Sequence, residues 1–424
     1  MNSDQRPDRR DLRWNFSAGV IDAAGWGAGM SFVSATTMLP LFVRQLTDSP
    51  IAVGMIQAVM LFGWLLPGIL VSGRIDALPK VQRSVMWIAG IERLALFALA
   101  PCCIWFGATH PDALLAAFFL AWFIMNCAMG ANLPGYYKLI AKTIPAEYRG
   151  RLYGVAGALS GLVGMGGALL AGWFLEHWAF PGGFAACFLA ASLIQTATVF
   201  PLGLMREPRQ PAEARHPTVR PLAQLGLIRE DSRMLWLCVA VAVFSLNQMG
   251  AAFYTLFAID RLGAADAEVA RFTAAVTGGR AIAYLLVGWV GDRFGNRAAL
   301  QMSTAFGVVA AVLAWHAPNL LWMYPVFILN EFAVQGWGVC TMNYVLELCP
   351  AERSATYTAV FGVFTGPFRV LLPLVGGAVA AWLGYPQLFL VGAVGAVGAM
   401  LLIALRLPEP RLAVGTRNPE RAVG

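Results

Sequence analysis

The 424-residue chain is 58% hydrophobic and only 12% charged, with a mean hydropathy of +0.65, whereas a soluble domain carries about 25% charged residues. That composition excludes an ordinary water-soluble protein and places the chain in lipid. The net charge of +7 is spread over short segments between apolar stretches and forms no single patch, which sets nucleic acid aside as a partner.

A helix needs about 20 apolar residues to cross a hydrocarbon core about 30 Å thick. The spacing predicts an all-α membrane protein with twelve such spans: Phe16–Val43, Ile51–Ser72, Val85–Trp105, Leu114–Ile140, Leu152–Phe174, Phe184–Leu204, Leu235–Ala258, Phe272–Val290, Ala298–Trp315, Leu320–Leu348, Tyr357–Leu383 and Leu388–Leu405. The start is polar and Arg-rich through Arg13, and the first apolar stretch is too long for a cleaved signal, so span one is expected to be its own insertion signal. Between spans six and seven lies the one long hydrophilic interior segment, Arg206–Arg233, with Pro208, Pro211, Pro217 and Pro221. It reads as a linker. The expected organisation is a six-helix half over 1–205, a linker over 206–233, and a second six-helix half with a tail over 234–424.

The two halves repeat one another. Pro145-Ala146-Glu147 recurs 205 positions later as Pro350-Ala351-Glu352, and Phe180-Pro181 recurs at the same offset as Tyr385-Pro386. Nearer the start of each half, Leu46 answers Leu262 and Asp76 answers Asp292, both at an offset of 216. A duplicated unit in which one loop changed length accounts for both offsets. Arg206-Glu207-Pro208-Arg209, after span six, is echoed by Pro408-Glu409-Pro410-Arg411 after span twelve.

Orientation follows from the basic residues. With both termini on one side, that side's tails, loops and adjoining span ends hold all of the 30 Lys and Arg except six: Arg44, Arg261 and Arg271 in the opposite loops, and Arg93, Arg280 and Arg369 within spans. Positive charge stays cytoplasmic, so both termini and the linker are expected inside, in the plasma (inner) membrane. The seven Cys sit inside spans or at their edges with no zinc spacing, and none of the four His lies mid-span. No cofactor or metal is expected. No phosphate-cradling G-x-x-x-x-G-K-[ST] loop occurs, which argues against ATP-driven transport, and no paired carboxylates or other catalytic constellation argues for an enzyme.

The segment Gly288-Trp289-Val290-Gly291-Asp292-Arg293-Phe294-Gly295-Asn296-Arg297, between spans eight and nine, is similar to the G-x-x-x-D-R-x-G-R-R/K loop of the major facilitator superfamily, with Asn296 at one basic position. Gly73-Arg74-Ile75-Asp76-Ala77-Leu78-Pro79-Lys80 is its first-half counterpart, altered at Ala77 and Pro79. The resemblance covers essentially the whole chain. It implies a twelve-helix fold in two pseudo-symmetric halves, with Asp292, Arg293 and Asp76 in gating loops and Gly295 making a tight turn. It also implies that spans 1, 4, 7 and 10 with 2, 5, 8 and 11 line a central path. Two departures stand out: the Gly-Pro expected in span five of antiporters occurs in span eleven as Gly366-Pro367, and Asn126 stands where many proton antiporters place an arginine.

Six ionisable residues fall inside spans: Asp22, Glu92, Arg93, Arg280, Glu331 and Arg369. Charge at mid-bilayer costs at least about 2.5–3.5 kcal/mol, so such residues face a cavity or one another. Counting 1.5 Å per residue from the span ends predicts an Asp22–Arg93 pair and a Glu331–Arg369 pair. Arg280 is left alone, on a stripe with Thr273, Thr277 and Tyr284. Glu92 and Arg93, on span three, are expected to hold the first half together. Arg280, Arg369, Asn126, Asn247, Tyr254, Tyr136 and Trp26 are the candidate solute-binding residues, and Glu331 and Asp22 the candidate proton carriers.

These features predict a secondary transporter that moves a small organic solute, anionic or amphipathic, by alternating access with proton coupling, working as a monomer in the bilayer. A multidrug-type exporter of the same fold and a non-transporting receptor or scaffold remain open alternatives.

Overall fold

The computed structural model describes residues 9–76, 78–107, 109–208, 231–348 and 354–408. The described part is helical, with no strand. Its helices are α1 (Arg9–Phe32), α2 (Met38–Arg44), α3 (Pro50–Asp76), α4 (Gln82–Phe106), α5 (Pro111–Thr143), α6 (Ala146–His177) and α7 (Gly182–Gly203), then α8 (Ser232–Ala251), α9 (Tyr254–Leu262), α10 (Asp266–Phe294), α11 (Asn296–His316), α12 (Met323–Leu348), α13 (Ser354–Leu383) and α14 (Tyr385–Arg406). The second copy of the Pro-Ala-Glu repeat, residues 209–230 of the linker and the tail after Pro408 lie outside the described residues.

Among the described residues, ten helical segments are long and apolar enough to cross a membrane. The two other expected spans are helical as well, as α1–α2 and α12, but polar side chains dilute them: Asp22 in the first, and Asn330, Glu331 and Gln335 in the second. Those are the chains that need an interior partner or a cavity.

Two expected spans are each built from two helices. Span one breaks over residues 33–37 between α1 and α2, and span seven breaks at Ala252 and Phe253 between α8 and α9. An interrupted helix inside a membrane leaves backbone groups that the protein must satisfy. Leu39 N donates to Ser34 O (2.9 Å), and Gln57 Nε2 on α3 donates to Ala35 O (3.0 Å). The breaks keep the repeat: α2 and α9 begin 216 residues apart, at Met38 and Tyr254, and so do α3 and α10, at Pro50 and Asp266.

Contacts between Cα atoms divide the chain into two units, one of Met1–Thr218 with Gly263–Gly278, the other of Val219–Leu262 with Gly279–Gly424. In the first unit α1 packs on α6 and α7, α3 on α5, and α4 on α5 and α7. The first part of α10 belongs here, where the hydroxyls of Thr37 and Thr273 meet at 2.6 Å. In the second unit α11 packs on α12 and α14, and α8 on α13 and α14. Its core gathers Phe244, Trp337, Tyr344 and Phe361, with the Phe244 and Trp337 rings stacked at 4.2 Å.

The α3–α5 contact is backbone against backbone. A Cβ at Gly63 would lie 2.7 Å from the Asn126 carbonyl carbon, and one at Gly130 would lie 2.0 Å from the Gly63 oxygen. Small residues permit this close approach. The repeat carries Gly63 to Gly279 on α10, but it carries Gly130 to Gln335 on α12. A Cβ at Gly279 would meet nothing nearer than 3.4 Å. The longer side chain on α12 thus accompanies a looser contact with α10, and a polar bridge spans it.

Candidate functional site

That bridge is an ion pair. Arg280 donates through Nε to Glu331 Oε2 (3.0 Å) and through Nη2 to Glu331 Oε1 (3.2 Å), while Gln335 Nε2, one turn along α12, donates to Oε2 (2.9 Å). The planar guanidinium matches the carboxylate edge to edge, the geometry in which arginine is hardest to replace by lysine. Glu331 is buried, with 4% of its side chain exposed, whereas 41% of the Arg280 side chain is exposed. The pair therefore has an inner acid and an outward-reaching base.

The exposed side of Arg280 is not the lipid side. At about 100° per residue, Ile282, Leu285 and Trp289, all exposed, lie on the opposite face of α10. Thr273, Thr277 and Tyr284 lie within about 60° of Arg280, as the polar stripe in the sequence predicts.

Arg369, on α13, is exposed and has no hydrogen bond or ion pair among the described residues. The Glu331–Arg369 pair expected from sequence is not formed. The depth count for Arg280 started at Val290, but α10 runs on to Phe294, which puts Arg280 about 21 Å from the helix end, level with Glu331 and Arg369. Arg280 takes the acid, and Arg369 is left with no ion pair among the described residues.

In the first unit, the expected Asp22–Arg93 pair is likewise absent. Arg93 donates to Glu92 Oε2 (3.1 Å), to Ala89 O (2.9 Å) and to Gln195 O (3.1 Å), so its guanidinium is taken. Glu92 also accepts from Asn132 Nδ2 (3.1 Å), and Ser192 Oγ donates to Arg93 O (3.0 Å). These bonds tie α4 to α5 and α7. Asp22 on α1 is buried and has neither hydrogen bond nor ion pair among the described residues.

The neutral candidates are placed as follows. Asn126 is buried, accepts from Trp64 Nε1 (3.1 Å) and donates to Trp122 O (2.7 Å). Asn247, also buried, donates to Gly307 O (3.1 Å) and Gly392 O (3.4 Å), joining α8 to α11 and α14. Tyr254 is buried at the head of α9 against Phe327 and Phe389. Tyr136, on α5, and Trp26, on α1, are half-buried.

Between α10 and α11, Gly295 has φ of +89°, a turn that favours glycine, as expected from the loop pattern. Asp292 and Arg293 are exposed, and Arg293 lies over the rings of Trp289 and Phe294. Asn296 is buried and donates to Glu347 Oε1 (2.9 Å) at the end of α12. Asp76 closes α3, but its side chain lies outside the described residues.

One residue that sequence reasoning passed over is Glu207. Its buried carboxylate accepts from the backbone of Val81 (2.9 and 3.0 Å) and of Gln82 (3.0 Å) at the head of α4, and from Lys142 Nζ (3.1 Å). A negative group belongs at a helix N-terminus. The echo at Glu409 was the available signal.

The family model described as Major Facilitator Superfamily matches residues 22–366 and 251–423. No curated protein matches the chain. Among solved structures, the chain is similar to a variant of the nucleoside transporter NupG (13% identity, TM-score 0.73, covering 94% of this chain and 100% of that one). It is also similar to the xylose transporter XylE from E. coli (14%, 0.67, 95% and 99%) and to a bacterial homologue of the iron transporter ferroportin (13%, 0.64, 94% and 99%). At these identities the likeness is one of fold. With a family match over most of its length and ten apolar crossing segments, the chain is an integral membrane protein that belongs to the Major Facilitator Superfamily, a family of transporters.

Proposed function

We propose that the protein is a proton-coupled secondary transporter of a small organic anion, and that Arg280 and Glu331 are where solute and proton meet. The observation that carries this reading is the bidentate Arg280–Glu331 pair, half-exposed at its arginine and accompanied by Arg369, which has no ion pair among the described residues. An incoming carboxylate or phosphate competes with Glu331 for the Arg280 fork, and Arg369 supplies a second cation. Once displaced, Glu331 is a buried carboxylate without its counter-charge. Leaving such a charge unpaired costs about 3–5 kcal/mol, and taking up a proton removes most of that cost. Solute and proton then bind together and cross together, as in symport, with access alternating between the two sides of the membrane.

On this reading the protein works as a monomer in the cytoplasmic membrane, both termini and the linker facing the cytosol. The Lys and Arg asymmetry supports the orientation. Asp292 and Arg293, with Asp76 in the first half, would serve the cytoplasmic gate. Asp22, buried and without an ion pair among the described residues, is the second proton carrier to consider.

The first test is a thermal-shift screen of purified protein against anionic and amphipathic metabolites, since a ligand of the folded state raises the melting temperature by mass action. Stabilisation by anions that Arg280→Ala abolishes is the expected result. Stabilisation only by cations or neutral solutes, unchanged in Arg280→Ala, would remove the arginine from the mechanism.

A further inference from the structure

Among the described residues of the second unit, the charged side chains that stand more than a turn from any helix end are Arg280 on α10, Glu331 on α12 and Arg369 on α13. Two are positive and one is negative. They lie at one level, between about 21 and 26 Å from the helix ends at Phe294, Leu348 and Ser354, at 1.5 Å per residue. Glu331 offsets Arg280 alone. Arg369 keeps its charge with neither hydrogen bond nor ion pair among the described residues.

Arg369 is exposed, yet it does not point to lipid. Leu371, Val375 and Trp382, all exposed, lie about 160°, 120° and 140° around α13 from it, at 100° per residue. Thr365 and Gly376, both buried, lie within about 40°. Gly376 marks the face that packs on α8, since a Cβ there would lie 2.5 Å from Met249 Cγ. Arg369 therefore shares the interior side of its helix, as Arg280 does on α10. Both helices adjoin α12: α10 through the ion pair and through Gly279 against Ile328, α13 by direct packing.

We infer that the transported solute is a dianion of the dicarboxylate class, with one anionic group on the Arg280 fork and the other on Arg369. The inference rests on the reading of Arg280 and Glu331 as the meeting place of solute and proton, and adds the charge of the solute. When a proton goes to Glu331, the three groups together carry two positive charges. A monoanion on Arg280 leaves Arg369 as uncompensated as it was before. A dianion offsets both guanidiniums, and the loaded site is neutral, the state in which groups removed from water are least costly. Arg369 gives up no bond within the protein to take its share, so the charge-assisted bond it makes to the second carboxylate is gained in full.

The test uses the purified full-length protein and three diacids of increasing length, malonate, succinate and glutarate, each set against its monomethyl ester, which keeps the skeleton and loses one charge. Binding is read by calorimetry and by thermal shift at about pH 7.5, where both carboxyl groups of the diacids are ionised. Wild type is expected to prefer at least one diacid over its own ester by about tenfold. Arg369→Gln should abolish that preference, so that diacid and ester bind alike, whereas Arg369→Lys keeps the charge and should retain most of it. Without ligand, both variants should melt with wild type. A lowered melting temperature in both would mark Arg369 as structural and overturn its role. Arg280→Lys should weaken diacids and esters together. Absence of a preference in wild type for every pair, or a preference that survives Arg369→Gln, would overturn the dianion while leaving the anion reading in place. If no diacid and no ester binds wild type, the anion reading falls, and this inference with it.

Discussion

Glu331 receives both edges of the Arg280 guanidinium, and this one pair bridges α12 to α10 where the equivalent helices of the first half touch backbone to backbone. Removing one partner is therefore worse than removing both. Arg280→Ala should destabilise the detergent-solubilised protein by about 3–5 kcal/mol, because an unpaired acid stays buried. Arg280→Leu combined with Glu331→Leu should recover much of that loss. Thermal unfolding of the two variants side by side checks the order. Arg280→Lys should keep the fold yet bind the solute more weakly, since a point charge cannot replace the fork.

Much of this was legible beforehand. The offsets of 205 and 216 fixed the duplication, and composition fixed the membrane class. What was not legible followed from where helices end and who is nearer. α10 extends four residues past Val290, and that single turn moves Arg280 into register with Glu331. Arg93 is captured by Glu92 and by two carbonyls, which only packing against α7 reveals. The break at residues 33–37 lies just ahead of Pro40, whose ring bars a helical carbonyl at Thr36, and the freed Ala35 carbonyl is met by Gln57 from α3, a partner that only the fold reveals.

The contrast between the two helix contacts gives a second expectation. Gly63→Ala and Gly130→Ala should each force α3 and α5 apart and cost about 1–3 kcal/mol. Gly279→Ala, with ordinary contact distances around it, should change stability by less than about 0.5 kcal/mol. Melting temperatures of the three variants decide this, and equal effects would mean that the two contacts are packed alike.

Glu207 should be a strong structural position for a residue at the edge of a linker. Glu207→Ala removes the acceptor of two backbone amides and leaves Lys142 without its carboxylate, so a loss of about 2–4 kcal/mol is expected. Lys142→Met in the same background should restore part of it. Stability unchanged in Glu207→Ala would mean that water replaces the carboxylate at no cost.

Asp22 has the opposite sign. It is buried with neither hydrogen bond nor ion pair among the described residues, and an isolated buried charge is costly. Asp22→Asn should therefore hold or raise the melting temperature at neutral pH. A clear fall would show that the carboxylate is held ionised by the charge of Arg93.

The orientation is open to direct labelling. Single cysteines placed in the 206–233 segment should resist membrane-impermeant maleimide in intact cells and react in inverted vesicles, as the Lys and Arg distribution requires. Labelling from outside would reverse the topology and the assignment of Asp292 and Arg293 to a cytoplasmic gate.

The coupling role of Glu331 is most directly tested in proteoliposomes, with the anion that best stabilises the purified protein. Glu331→Gln mimics the protonated acid, so solute exchange across the membrane should persist while accumulation driven by a pH gradient is lost. A Glu331→Gln protein that concentrates the anion as wild type does under the same gradient is incompatible with Glu331 as the proton carrier, and Asp22 would then take its place.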